Sequence, residues 1–228
     1  MQILSAVGKK TMDKKGRFMV EASGEEHYLV NMEVYVWSAL LWNFVDRNDL
    51  DGYVLSLMGQ AGRYGDDDWL QRSVKSSEIK YCVSRLLRRG LLVCGEGECA
   101  EKAVADLLLK VFVIPNRLPL LLRFRAFCMG ISHGFSVRGA FTGMIMNENE
   151  KLLLGKLERS GNISLQLDDL YRVLEENAKW SFRMLPEYQE LRETIKLDFL
   201  LSVVQLYKKK RLTIQGIQDD VMKEAVCL

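Results

Sequence analysis

The stretch Ser76–Val93, SSEIKYCVSRLLRRGLLV, decides the fold. Ile79, Cys82, Val83, Leu86 and Leu87 recur at the spacing of one helical stripe, and Lys80, Tyr81, Ser84, Arg85 and Arg88 fall on the opposite face. Ser76 or Ser77 suits the helix N-cap, and Glu78 suits the positive end of the helix dipole. Arg88 and Arg89 lie toward the negative end, and Gly90 is the expected left-handed stop. The apolar run Leu91–Val93 then predicts a short strand.

Upstream, Gln2–Val7, Arg17–Glu21 and His27–Val30 read as strands of a small antiparallel sheet. Gly8-Lys9-Lys10, Asp13–Gly16 and Ala22–Glu26 carry the turn chemistry between them. From Met32 the period becomes helical. Asn31 is the candidate cap, and Val36, Trp37, Leu40, Leu41 and Phe44 form the apolar face. A second helix places Leu50, Tyr53, Val54 and Leu57 on one side, and Gly59–Asp68 is a loop before the opening helix.

Downstream, Cys94–Cys99 reads either as the tip of a wing or as a loop into a helix. Ala100–Lys110 is helical, with Ala103, Val104, Leu107 and Leu108 inward, and Val111–Ile114 is β-like up to Pro115. Pro119–Met146 is apolar with scattered basic residues. The last third repeats the helical plan, with faces at Leu152, Leu153 and Leu157, then at Leu167, Leu170, Tyr171 and Leu174, then a helix over Ile195–Lys210 and a β-like Leu212–Ile214.

The two halves overlay. Val36, Trp37 and Leu40 fall over Leu153, Leu154 and Leu157, and Leu50–Leu57 falls over Leu167–Leu174. Arg88-Arg89-Gly90-Leu91 falls over Lys209-Lys210-Arg211-Leu212. The sequence therefore predicts a mostly helical α+β chain with an internal duplication: an N-terminal domain over 1–114, an apolar helical linker over 115–146 and a C-terminal domain over 147–228.

Composition narrows the function. The 228 residues carry a formal net charge of only +2, too small to argue for nucleic acid by itself. Arg123, Arg125, His133 and Arg138 interrupt the longest apolar region, so no membrane span is expected. No signal-peptide pattern opens the sequence, and five cysteines without framework spacing suit reduced thiols, so a cytoplasmic protein is expected. His27 and His133 are the only histidines, and no Ser or Gly context suggests a nucleophile elbow or a phosphate loop. Cys94 and Cys99 lack a second ligand pair, and Asp66–Asp68 reads as a solvated loop. No enzyme, cofactor or metal is expected. The four tryptophans read as core anchors, and Phe124, Phe127, Phe135 and Phe141 as a buried interdomain or homodimer surface.

Residues 32–99 resemble the winged-helix domains of bacterial transcription regulators through the run Ser76–Leu92 and its L-x-x-x-G-L exit, Leu86 to Leu91. The resemblance implies tandem winged-helix-like domains and a regulator that reads double-stranded DNA with helix 76–89. It assigns base and phosphate contacts to Lys80, Tyr81, Ser84, Arg85 and Arg88. The basic run Lys208, Lys209, Lys210 and Arg211 is a further candidate phosphate contact, or a charged helix C-terminus. A second resemblance covers roughly the first 95 residues. Tyr28–Asn31, Val36-Trp37-x-x-Leu40, Leu50–Leu57 and Leu86–Leu92 look similar to winged-helix-like modules that bind leader peptides in peptide-modifying systems. There the peptide adds a strand to the edge of the N-terminal sheet. This implies a non-enzymatic peptide- or protein-binding adaptor, which the acidic Glu96 and Glu98 and the near-neutral charge favour.

Overall fold

The computed structural model describes residues 1–61, 76–116, 148–178, 183 and 185–218. It is an α+β chain of helices and small antiparallel sheets, dividing into two compact units. Unit 1 holds 1–112 and 214–228, and unit 2 holds 113–213. The expected loop at 59–68, the acidic run Asp66–Asp68 and the apolar linker beyond Asn116 lie largely or wholly outside the described residues. So do Trp69, Trp180, His133, Cys128, Cys227 and the four phenylalanines of the linker.

Unit 1 opens with β1 (Gln2–Ala6), β2 (Lys9–Met12), β3 (Phe18–Ala22) and β4 (Glu25–Tyr28). Strands β2, β3 and β4 form one antiparallel sheet in that order. The β3–β4 connection is a two-residue turn, Ser23-Gly24, with both φ values positive (52° and 82°). Such a turn matches the twist of the flanking strands, so the hairpin is tighter than the Ala22–Glu26 loop expected from sequence. Val7 and Gly8 (φ 97° at Gly8) make the β1–β2 corner, and Lys9 and Lys10 belong to β2.

Next come α1 (Met32–Leu40), β5 (Val45–Asp46), α2 (Leu50–Ala61), α3 (Ser76–Arg88), β6 (Leu92–Glu96) and α4 (Ala100–Leu109). Helix α1 packs against α2, α3 and β1. Its Val36, Trp37 and Leu40 are fully buried, and the Trp37 indole N–H donates to Val7 C=O at 2.9 Å. On α2 the inward face is Leu50, Val54 and Met58, while Tyr53 is 52% exposed. Asn31 precedes α1 at φ 44° without a side-chain cap bond. The α3 stripe buries Ile79, Cys82, Val83 and Leu86.

The exit from α3 follows a defined turn. Gly90 sits at φ 66°, its N–H donates to Leu87 C=O, and Leu91 N–H donates to Leu86 C=O. This is the paired-bond stop of a Schellman motif, with Leu86 and Leu91 both buried. The chain enters β6, whose sheet neighbour is β1, in the order β5-β1-β6. Cys94–Glu96 belongs to the strand β6, and Glu98-Cys99 leads into α4 rather than forming the tip of a wing. Helix α4 packs across β6 and β1, and Gly95 permits this, since a Cβ there would stand 2.1 Å from Ala103 C=O.

The strands β7 (Val111–Pro115) and β8 (Leu212–Ile217) pair as a two-stranded sheet. Within unit 1, the Gly8 and Ser23 N–H groups donate to Ile214 and Gln215 C=O. Unit 2 packs α5 (Glu148–Arg159), α6 (Ile163–Asn177) and α7 (Pro186–Lys208) together. Leu153, Leu157, Ile163, Leu167, Leu200 and Val203 are among its buried side chains. The Asn162 side chain caps α6 by accepting from Leu165 N–H. Helix α7 starts earlier than the expected Ile195, because Pro186 sets the first turn and Tyr188 is buried.

Helix α7 ends as α3 does: Lys210 has φ 58°, its N–H donates to Tyr207 C=O, and Arg211 N–H donates to Leu206 C=O. The matching exits pair Gly90 with Lys210 and Leu91 with Arg211, one residue away from the sequence overlay. Val113 N–H donates to Gly161 C=O, just before α6, much as β1 meets β5 just before α2. Among the described residues, no helix is long and apolar enough to cross a membrane.

Candidate functional site

Glu33, in the first turn of α1, is buried to a side-chain exposure of 2%. A lone carboxylate there would be strongly disfavoured, and two guanidiniums compensate it. Arg85 lies 3.2 Å from one carboxylate oxygen and Arg89 3.2 Å from the other. One turn apart at the end of α3, these arginines point to the same side. The Arg89 guanidinium also donates to Tyr28 C=O at 2.8 Å. Glu33 and Arg89 thereby tie the end of β4 to α1 and α3.

That contact marks the edge of a sheet. Leu29 N–H donates to Phe18 C=O, so in the alternation of an antiparallel ladder His27 and Leu29 face β3. The main-chain groups of Glu26 and Tyr28 point the other way, where no strand pairs with β4 among the described residues. The side chains of Glu26, Tyr28 and Val30 are exposed, Tyr28 to 45% and Val30 to 55%. Arg17 stacks on the Tyr28 ring at 4.5 Å and donates to its hydroxyl at 3.2 Å. Asp13 accepts from the Arg17 and Lys15 N–H groups and pairs with the Arg17 guanidinium. The Arg17 N–H bond leads in holding the Asp13 carboxyl below its ordinary range.

The expected nucleic-acid contacts occupy different settings. Lys80, Tyr81, Ser84 and Arg88 are exposed on α3, Tyr81 to 60%. Ser84 donates back to Lys80 C=O, and Arg88 reaches Ser84 C=O at 3.4 Å. Arg85 is engaged with Glu33 and lies 5.8 Å from the Tyr81 ring centre. In unit 2, Lys208 is exposed, Lys209 pairs with the buried Glu150 at 2.6 Å, Lys210 forms the helix stop, and Arg211 is 5% exposed. Two of these four basic residues are thus built into the fold.

Sequence reading missed Glu33, Arg89 and the β4 edge as a group. The signal available was Glu33 itself, an acid placed between Asn31 and the apolar face of α1. Cys82, Cys94 and Cys99 are free thiols, and burial pushes those of Cys82 and Cys94 up. Among the described residues, no three His, Cys, Asp or Glu side chains gather where a metal ion could sit. No protein-family model, curated protein or solved structure matches the chain.

Proposed function

We propose that this chain is a non-enzymatic adaptor that binds an extended peptide as an added strand on the free edge of β4, beside α3. The observation that carries the reading is the edge itself: among the described residues no strand pairs with the outward main-chain groups of Glu26 or with the Tyr28 N–H, while Arg89 from the end of α3 holds the Tyr28 C=O. Edge strands take up partner strands through their main chain, with side-chain pockets adding selectivity. The sequence resemblance of the first 95 or so residues to leader-peptide-binding modules, in which the peptide joins an edge of the N-terminal sheet, is in keeping with this reading.

The duplication belongs to this reading. Tandem winged-helix-like modules account for the repeated helix exits at Gly90 and Lys210 and for a strand set beside the short segment before α2 and before α6. A reducing, cytoplasmic setting suits the free thiols.

One observation favours a second reading, DNA binding by a transcription regulator. Lys80 and Arg88 stand exposed on one face of α3 without acidic partners among the described residues. The two readings separate in parallel assays on the full chain. Selection from displayed random 12-residue peptides should enrich binders, and mixed-sequence duplex DNA should not be retained at low salt. Retention of duplex with affinity falling steeply as salt rises, and no peptide enrichment, would put the regulator reading first.

A further inference from the structure

Registers across the β2–β3–β4 sheet place Lys9 opposite Glu21 and Glu21 opposite Glu26. On the same face, the adjoining row is Thr11, Met19 and Tyr28. The Glu21–Glu26 pair is of the non-hydrogen-bonded kind, in which side chains come closest, and like charges there repel. Lys9 faces Glu21 across the β2–β3 register, but none of Lys9, Glu21 and Glu26 has an ion-pair partner within 4 Å among the described residues, and Glu26 lies on the open edge. The row thus runs Lys, Glu, Glu and stops one strand short of balance.

Resting on the strand-addition reading, we infer that the peptide taken up by β4 carries a lysine or arginine opposite Glu26 and an aromatic or aliphatic residue opposite Tyr28. The cation completes a charge row that this chain leaves acidic. The apolar residue covers Tyr28, which is 45% exposed and whose ring is held by Arg17. Strand periodicity sets these residues two positions apart in the peptide. The ligand is accordingly a short basic-and-apolar extended segment rather than an acidic one.

Displayed random 12-residue peptides selected on the wild-type chain should carry Lys or Arg two positions from an apolar residue. Replacing that cation by Glu in a synthetic copy should weaken binding about fivefold. On Glu26→Lys, an exposed change that relieves the Glu21–Glu26 repulsion, the preference should reverse and the Glu peptide should bind more tightly. Peptides that bind wild type and Glu26→Lys with the same charge preference would overturn this inference while leaving strand addition standing. No enrichment on either protein would overturn both.

Discussion

Glu33 shows how much one buried carboxylate organises. It sits between Arg85 and Arg89, and Arg89 in turn holds Tyr28 C=O at the sheet edge. Removing it leaves two cations that are 39% and 27% exposed and can be rehydrated, so the cost falls below that of a fully buried pair. Glu33→Ala should cost about 1–2 kcal/mol, seen as a lower urea midpoint with unchanged slope. Asp13 gives a pH signature at the same scale. Its folded-state pKa is depressed, so its contribution is present above the unfolded carboxyl range, about pH 4, and is lost as pH falls through the folded value. Asp13→Asn should therefore be less stable than wild type near neutrality, and thermal unfolding should show the difference closing as the solution is acidified. The sequence announced Asp13 through its turn chemistry. It did not announce Glu33, because the arginines that neutralise it lie more than fifty positions away and nothing local marks them.

At the scale of elements, α3 was the most legible part of the chain: its stripe, its left-handed glycine and its exit strand all follow from local spacing. Helix α2 was read less well. Tyr53 shares a helical side with Leu50 and Val54, yet the inward line runs through Leu50, Val54 and Met58 at every fourth residue. Which of two adjacent lines is buried depends on the angle at which α1 meets α2, and that is a tertiary quantity. The loop at Cys94–Cys99 stayed ambiguous for a related reason, since the partner of β6 is the N-terminal strand and not a neighbour in sequence. The packing of α4 over that strand gives a paired test. Gly95→Ala forces a Cβ into the α4 backbone and should cost about 3 kcal/mol or more. Gly155→Ala, on α5 with open space around it, should stabilise by about 1 kcal/mol. Calorimetric melting points should move in opposite directions.

Across the whole molecule, the chain's return at Ile214 supplies acceptors for Gly8 and Ser23, so the first unit is built from both ends of the sequence. The α+β class was readable from periodicity, but this return was not, because no local pattern says which strand a terminal segment will meet. Function was less legible still. A basic helix face suits phosphates, and an open sheet edge suits a peptide; the resemblance implied an edge of the N-terminal sheet, but that β4 is an edge strand is visible only once strand order is known. Hydrogen exchange at single amides, with a selected peptide bound to the full chain, tests the central claim most directly. The account predicts that the Glu26 and Tyr28 amides slow sharply on binding. Unchanged exchange at both, with protection confined to the α3 face of Lys80, Ser84 and Arg88, would contradict it.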